Sequence, residues 1–442
     1  MKTIKPILFA LATSVAFPAG AVDLLGIYHT AQSQDAVIAA AAATLKADQE
    51  KLPQGRSLLL PNVSLNANTS YNDLSVGYGA GLLPIPSGSY NYNSHGYGVN
   101  LVQPLYRQQN WLAYTEAELQ VAQAEVRFRS AQQDLILRVA QAYFDVLMAQ
   151  DSVELSGAQK SAITEQLGQA KRNFEVGTAT ITDTYEAQAR YDLTNSEEIA
   201  ARSNLEIKKR TLQQLINAVP DELQNLGEEF KLDPLQPPDA EKWVEAAQQN
   251  SLQLVEAQLG ARLAEKEVTR NKGGYYPTVD LVANYSRTAQ SGSNFGVGID
   301  MLTSAIGVQV NLPLYQGGAI DSKLREAVAN RDRAKEELEN ARRSAALQTR
   351  QAYLGVVDGM AQVQALQQAL KSSASLLDAS KLGQEVGVRT NLDVLNAQQQ
   401  LYATRRDLYQ SEYNYLLSQL RLKAAVGTLA EDDLAKVNQS LH

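Results

Sequence analysis

The chain has 442 residues, 13 prolines and no cysteine, and its formal net charge is −8. Absence of cysteine excludes disulfides, thiol catalysis and Cys-ligated metals, and argues against a lipid-modified N-terminal cysteine. The acidic balance speaks against nucleic acid as a partner and favours cations near any internal surface.

Lys2 and Lys5, the apolar run from Ile7 to Phe17 and the small residues Ala19-Gly20-Ala21 read as a secretory signal over 1–21. The mature chain is expected to begin at Val22. That run is too short for a spanning helix, which takes about 20 apolar residues, and no later run is longer. Export is therefore expected, and any membrane insertion has to use β-strands. Residues 22–60 form an N-terminal helical segment, Ala-rich over 23–52 and broken at Pro53-Gln54-Gly55.

Residues 61–104 read as a first strand pair. Val63, Leu65, Ala67, Thr69 and Tyr71 alternate with Ser64, Asn66, Asn68 and Ser70, the period of a half-buried strand. The Gly/Pro/Ser/Asn/Tyr stretch 74–95 is expected to be a long loop. Tyr97, Val99 and Leu101 then resume the alternation until Pro104 closes the strand. No proline occurs in 105–219. Proline costs about 3 kcal/mol inside a helix, so this Ala/Gln/Leu/Glu/Arg-rich stretch is free to be a long helical hairpin. From Tyr106 to Gly177 it would extend roughly 105 Å at about 1.5 Å per residue, with Gly177 as the reversal.

A Pro-rich connection and a helix occupy 220–276. The second strand pair, 277–314, repeats the first: Val279, Leu281, Ala283 and Tyr285 alternate with Asp280, Val282, Asn284 and Ser286. A Ser/Gly-rich loop is expected over 288–304. Val308, Val310 and Leu312 return, with Gln309 and Asn311 on the other face and Pro313 as the stop. A second proline-free hairpin, 315–427, reverses at Gly387, and 428–442 is a C-terminal tail.

The two halves are one unit written twice, at an offset of 209–210 residues. Gly98-Val-Asn-Leu-Val-Gln-Pro-Leu-Tyr106 returns as Gly307-Val-Gln-Val-Asn-Leu-Pro-Leu-Tyr315, and Gln141-Ala-Tyr143 as Gln351-Ala-Tyr353. Glu175-Val-Gly177 returns as Glu385-Val-Gly387, with Asp183 and Asp393 six residues after each glycine. So long a repeat is a duplicated domain, since solenoid units run about 20–50 residues. Ala117, Ala124 and Ala131 recur as Ala327, Ala334 and Ala341, a heptad spacing that predicts side-by-side, coiled-coil-like helices.

Strands of about 9–11 residues are long enough to cross a bilayer when tilted. The same alternation also fits a soluble antiparallel sheet packed on helices. In lipid, four strands cannot close a barrel, and open edges are not tolerated. A membrane sheet would therefore need further copies of the chain: two would supply eight strands and three twelve.

Phe174-Glu-Val-Gly-Thr-Ala-Thr-Ile-Thr-Asp183, Val386-Gly-Val-Arg-Thr-Asn-Leu-Asp393 and Leu422-Lys-Ala-Ala-Val-Gly-Thr428 with Glu431-Asp-Asp-Leu434 are similar to segments of the TolC family of outer-membrane export ducts. The resemblance covers essentially the whole mature chain. It implies a mixed α+β membrane protein: a homotrimeric, twelve-stranded outer-membrane β-barrel, four strands per chain, continuous with a long periplasmic α-helical coiled-coil barrel. It also implies passive export of small toxic compounds, or type I protein secretion. The expected partners are outer-membrane lipid, a periplasmic adaptor protein, and an inner-membrane efflux pump or ABC exporter.

No catalytic constellation accompanies this. His29, His95 and His442 are scattered without metal-ligand spacing, no nucleophile motif is present, and no cofactor or metal is expected. Function should therefore be passage and gating. By resemblance the gate lies just beyond the turns, with Asp183 accepting a charge-assisted bond from Arg389 and Asp393 forming a ring of three carboxylates. Gln384 stands where the family's best-known member has tyrosine; its side-chain amide can still donate to Asp183, without the aromatic bulk. Asn396 stands where that member has a second aspartate, so the ring is less cation-selective. The turns Val176-Gly177-Thr178 and Val386-Gly387-Val388 are the expected adaptor contact. Read from the residues alone, Asp183 and Asp393 also suit helix starts, beside Thr182, Thr390 and Asn391. Arg389, whose counterpart is Ala179, speaks for a specific gate. The competing reading is an exported coiled-coil structural or interaction protein with a small soluble sheet; a general diffusion porin would lack the long helices.

Overall fold

A computed structural model describes residues 22–77, 88–220, 222–227, 232, 234–293 and 297–441. The expected signal segment and His442 lie outside the described residues. The chain begins with α1 (Leu24–Gln34), α2 (Ala36–Gln49), α3 (Lys51–Ser57), β1 (Asn62–Val76) and β2 (Gly88–Tyr106). The first long hairpin is α4 (Gln108–Glu175) and α5 (Ile181–Ile216), followed by α6 (Ala240–Asn250) and α7 (Leu252–Lys272). The second half runs β3 (Thr278–Gln290), β4 (Ile299–Asn311), α8 (Ala319–Glu385), α9 (Asn391–Val426) and α10 (Glu431–Asn438). Among the described residues no helix is long and apolar enough to cross a membrane. The described residues fall into two compact units, one drawn from 40–131 and 244–349, the other from 1–39, 132–243 and 350–442.

The first unit holds a four-stranded antiparallel sheet in the order β1-β2-β3-β4. Its register sorts side chains by chemistry. Val63 faces Leu101, Leu65 faces Val99, Val99 faces Tyr285, Ala283 faces Ile306, and Leu281 faces Val308, giving one apolar face. That face is open to solvent in the single chain, with Ile306 76 % exposed. Its charged members, Arg287 and Asp300, pair at 2.6 Å. The opposite face carries Ser, Asn, Gly and Gln. Asn100 Nδ2 donates to Asn66 Oδ1 at 2.8 Å, Asn284 Nδ2 to Asn100 Oδ1 at 2.5 Å, and Ser286 Oγ to Asn284 Oδ1 at 3.2 Å. Among the described residues the outer edges of β1 and β4 have no strand beside them.

Three expectations need correction. The strands have 15, 19, 13 and 13 residues, longer than expected, because both ends of the supposed loops 74–95 and 288–304 are strand. Residues 78–87 and 294–296 of those loops lie outside the described residues. Pro104 does not end β2, which continues to Tyr106 across a register shift, the kind of irregular position where a strand tolerates proline. Finally, the Ala-rich stretch 23–52 is not one helix. Asp35 interrupts it, its carboxylate accepting from the Val37 N–H at 3.3 Å and from Arg138 at 2.7 Å. Pro53 falls in the first turn of α3, where its missing N–H is no loss.

The end of β2 is tied to the sheet where α4 begins. Arg107 Nε donates to Asp280 Oδ1 at 2.8 Å and Nη2 to Oδ2 at 2.6 Å, a bidentate pair on a buried β3 carboxylate. Arg270 to Glu116 and Arg127 to Glu256 bind α7 to α4 in the same unit.

The second unit packs α1, α5, α9, α10 and the later parts of α4 and α8. Its core includes Leu24, Tyr143, Phe144, Tyr415, Leu420 and Leu434, all essentially inaccessible to solvent. Phe144 stacks on Tyr413 at 5.6 Å between ring centres, and the Tyr143 hydroxyl donates to the Gln224 carbonyl at 2.9 Å.

Replacing Arg107 with Ala strands the Asp280 carboxylate without its cation. The expected loss is about 1.5–3 kcal/mol, the range for bonds to charged groups. It should be read as a lower urea midpoint of the detergent-extracted protein, with Arg107→Lys restoring only part because the two-point fork is gone.

Candidate functional site

Each long hairpin reverses through five residues, 176–180 between α4 and α5 and 386–390 between α8 and α9. Gly177 and Gly387 take left-handed backbone, φ 76° and 80°, a conformation that costs other residues about 1–2 kcal/mol. The bonds around them match. The Gly177 N–H donates to the Phe174 carbonyl, and the Thr178 and Ala179 N–H groups to the Asn173 carbonyl at 2.8 and 3.2 Å. Gly387 bonds Gln384 in the same way, and Val388 and Arg389 bond Gly383 at 2.9 and 3.0 Å. The last carbonyls of α4 and α8 are thereby satisfied.

The next helix then starts on a threonine. Thr180 and Thr390 sit at φ −89° with extended ψ, and each accepts from the N–H three residues on. The reciprocal half comes from aspartate. Asp183 Oδ2 accepts from the Thr180 N–H and hydroxyl, both at 2.8 Å, and Asp393 Oδ2 does the same from Thr390. These are two capping boxes with aspartate at the third helical position. The Thr390 N–H, then its hydroxyl, and lastly the Arg389 charge hold the Asp393 carboxyl below its ordinary range. Beneath the turns lie two matching small cores: Leu167, Ala170 and Ala187 with Tyr191, and Leu377, Val394 and Ala397 with Leu401.

Gln384, Arg389, Asp393 and Asn396 lie at or just beside the second turn and Asp183 just beyond the first, and the bonds each makes within one chain are specific. Arg389 Nη1 lies 3.8 Å from Asp393 Oδ1, and among the described residues it makes no bond to Asp183 of its own chain. Gln384 Nε2 donates to Asn391 Oδ1 at 3.3 Å instead of reaching Asp183. Asn396 is held from α5, its Oδ1 accepting from Arg190 Nη2 at 2.9 Å, while Arg190 Nη1 donates to Gln399 Oε1 at 2.6 Å. At the turns Val176, Val386 and Val388 are all largely exposed, Val388 at 77 %.

Sequence reasoning passed over several of these groups. It placed Thr182 beside the helix start, whereas the cap is Thr180, which the Thr-x-x-acid spacing could have flagged. Gly383 was missed too; a Cβ there would stand 2.6 Å from Arg389 Cγ, so the bare glycine is what lets that side chain lie down. Arg190 and Gln399 come from different helices, and no local pattern links them.

A second ionisable cluster lies between α4 and α9. The Tyr413 hydroxyl donates to Asp151 Oδ2 at 2.7 Å, and Glu412 is only 7 % exposed. Burial pushes the Asp151 carboxyl up to about 6, and burial, with Asp151 nearby, pushes Glu412 up to about 7.

A duplicated chain with a two-faced sheet and long capped hairpins fits the architecture of an outer-membrane channel. The chain belongs to the outer membrane efflux protein family, whose profile matches residues 27–218 and 243–428. It is 35 % identical over 452 residues to Outer membrane protein TolC of Escherichia coli K12, covering 100 % of this chain and 90 % of that one. It is 32 % identical over 421 residues to the alkaline protease secretion protein AprF of Pseudomonas aeruginosa, covering 94 % and 87 %. The solved CmeC outer membrane channel of Campylobacter jejuni superposes with TM-score 0.79 at 17 % identity, covering 100 % of this chain and 97 % of that one. The protein is an outer-membrane efflux channel, and the exported-rod reading falls away.

Two measurements follow from this geometry. Thr390→Ala removes a helix cap and should cost about 1 kcal/mol, lowering the urea midpoint, with Thr390→Ser near wild type. Asp151 and Glu412 hold their protons more tightly folded than unfolded. The stability they contribute is complete below the ordinary carboxyl range and is lost as pH rises to about 7. Glu412→Gln should therefore raise the urea midpoint above wild type at about pH 8 and lose that advantage near pH 5.

Proposed function

We propose that three copies of this chain close a twelve-stranded barrel in the outer membrane, continuous with a periplasmic coiled-coil barrel made from the long helices. The observation that carries this is the sheet: one face apolar, the other polar, with both edges open. In hydrocarbon the edges must pair, and β1 of one copy against β4 of the next satisfies them. The apolar face then meets lipid, and the Asn/Ser/Gly face lines a lumen wide enough, at twelve strands, to stay open.

The assembly is a passive duct. It works with a periplasmic adaptor that docks on the exposed valines of the two turns, and with an inner-membrane efflux pump or ABC exporter that supplies energy and chooses cargo. Two relatives named for protease secretion and one named for efflux support small toxic compounds, secreted proteins or both as that cargo.

The gate is at the turns. Three Asp393 carboxylates around the axis form the constriction, and Arg389 reaches Asp183 of the neighbouring copy. Two observations support the cross-chain bond. The Arg389 side chain is 53 % exposed with only a 3.8 Å contact to Asp393, and Asp183 spends a single oxygen, Oδ2, on its cap.

Planar-bilayer recording tests this. Wild type should show a small, cation-selective conductance, and Arg389→Ser should raise it severalfold. A mutant equal to wild type would remove Arg389 from the gate, and a correctly assembled protein that never conducts would remove the duct.

A further inference from the structure

We propose that Arg190 is a second clasp of the gate, tying α5 to α9 through Asn396 and Gln399 and placing a fixed positive charge beside the Asp393 ring. This rests on the gate reading above. The clasp is made of two bonds, from Arg190 Nη2 to Asn396 Oδ1 at 2.9 Å and from Nη1 to Gln399 Oε1 at 2.6 Å. Asn396 and Gln399 are three residues apart on α9, so their side chains share a face. The two terminal nitrogens of one guanidinium can then engage both amide oxygens at once, a geometry that lysine cannot reproduce.

Both acceptors are neutral amide oxygens, so neither bond compensates the guanidinium charge. Asn396 is one turn beyond Asp393 on the same helix, so the Arg190 charge adds to that of Arg389 in setting the field at the carboxylates. A constriction carried on α9 widens only if α9 moves, and a bond from α9 to α5 resists that movement.

The pairing is also absent from the other half of the duplication. At the 210-residue offset Arg190 becomes Gln400, while Asn396 and Gln399 become Glu186 and Ala189. Gln400 instead bonds Thr404 within its own helix at 3.2 Å. The capping boxes were copied with the domain; this contact was not, as Arg389 was not.

The test is bilayer conductance and cation-over-anion permeability of the detergent-extracted assembly for Arg190→Gln, Arg190→Lys and the double variant Asn396→Ala with Gln399→Ala. Arg389→Ser is run beside them. The clasp predicts a severalfold rise in conductance for all three. The charge predicts a permeability ratio raised about twofold or more only in Arg190→Gln, which alone loses the cation. If Arg389→Ser opens the channel and neither Arg190→Gln nor the double variant changes conductance, the clasp is wrong and the gate stands. If Arg190→Gln and Arg190→Lys share one permeability ratio, the charge role is wrong. If Arg389→Ser is also silent, the gate reading fails and takes this inference with it. Should Arg190→Gln not assemble, the double variant, which leaves Arg190 in place, decides the clasp, and Arg190→Lys carrying the wild-type permeability ratio supports the charge.

Discussion

Backbone hydrogen bonding in a medium without water governs this protein. A strand at the edge of a sheet presents a row of N–H and C=O groups, and in hydrocarbon each unpaired group costs several kcal/mol. The four strands here pair among themselves and leave β1 and β4 with one open side each. A soluble protein would cover such an edge with a loop or a charge. This sheet instead turns an apolar face to its surroundings and a ladder of hydrogen-bonded asparagines to the other side. In the proposed barrel, closure with further copies would resolve the edges and separate lipid from lumen together. The Arg107–Asp280 pair holds the start of α4 to the sheet.

The helical turns show how duplication and specialisation divide the work. Everything that stabilises a reversal exists twice: the left-handed glycine, the carbonyl three or four residues earlier, the threonine cap, its aspartate and the small core below. These satisfy the chain's own backbone and would be needed whatever the protein did. What breaks the symmetry is two arginines that the reversals themselves do not need. Arg389 faces Ala179 in the repeat, and Arg190 faces Gln400. An aspartate can serve both purposes, because Oδ2 caps the helix while Oδ1 remains available. The helix-cap and gate readings of Asp183 and Asp393 are thus compatible.

Much of this was legible in the sequence, and the failures have a common cause. The 210-residue repeat, the proline-free stretches and Gly177 and Gly387 pointed to two hairpins and their reversals, since proline and positive φ are local constraints; α4 starts three and α8 four residues inside the expected stretches. The strands were cut short because Tyr90, Asn91, Tyr92 and Ser94 look like loop composition. In a channel the inward side of a strand meets water, so Ser, Asn and Gly are its normal lining. At Asp35 a helix break was missed because the ion pair that rewards it comes from Arg138, far along the chain.

The long helices, their reversals and the two chemically distinct faces of the sheet are legible in the sequence, because each follows from neighbours within a few residues, and the duplication from direct comparison of the two halves. Only the tertiary structure decided which side chains meet across helices. Arg190 reaching Asn396 and Gln399, Gln384 turning to Asn391, and Asp151 buried beside Glu412 depend on helix register. A rotation of one residue would undo them, and no local pattern encodes that rotation.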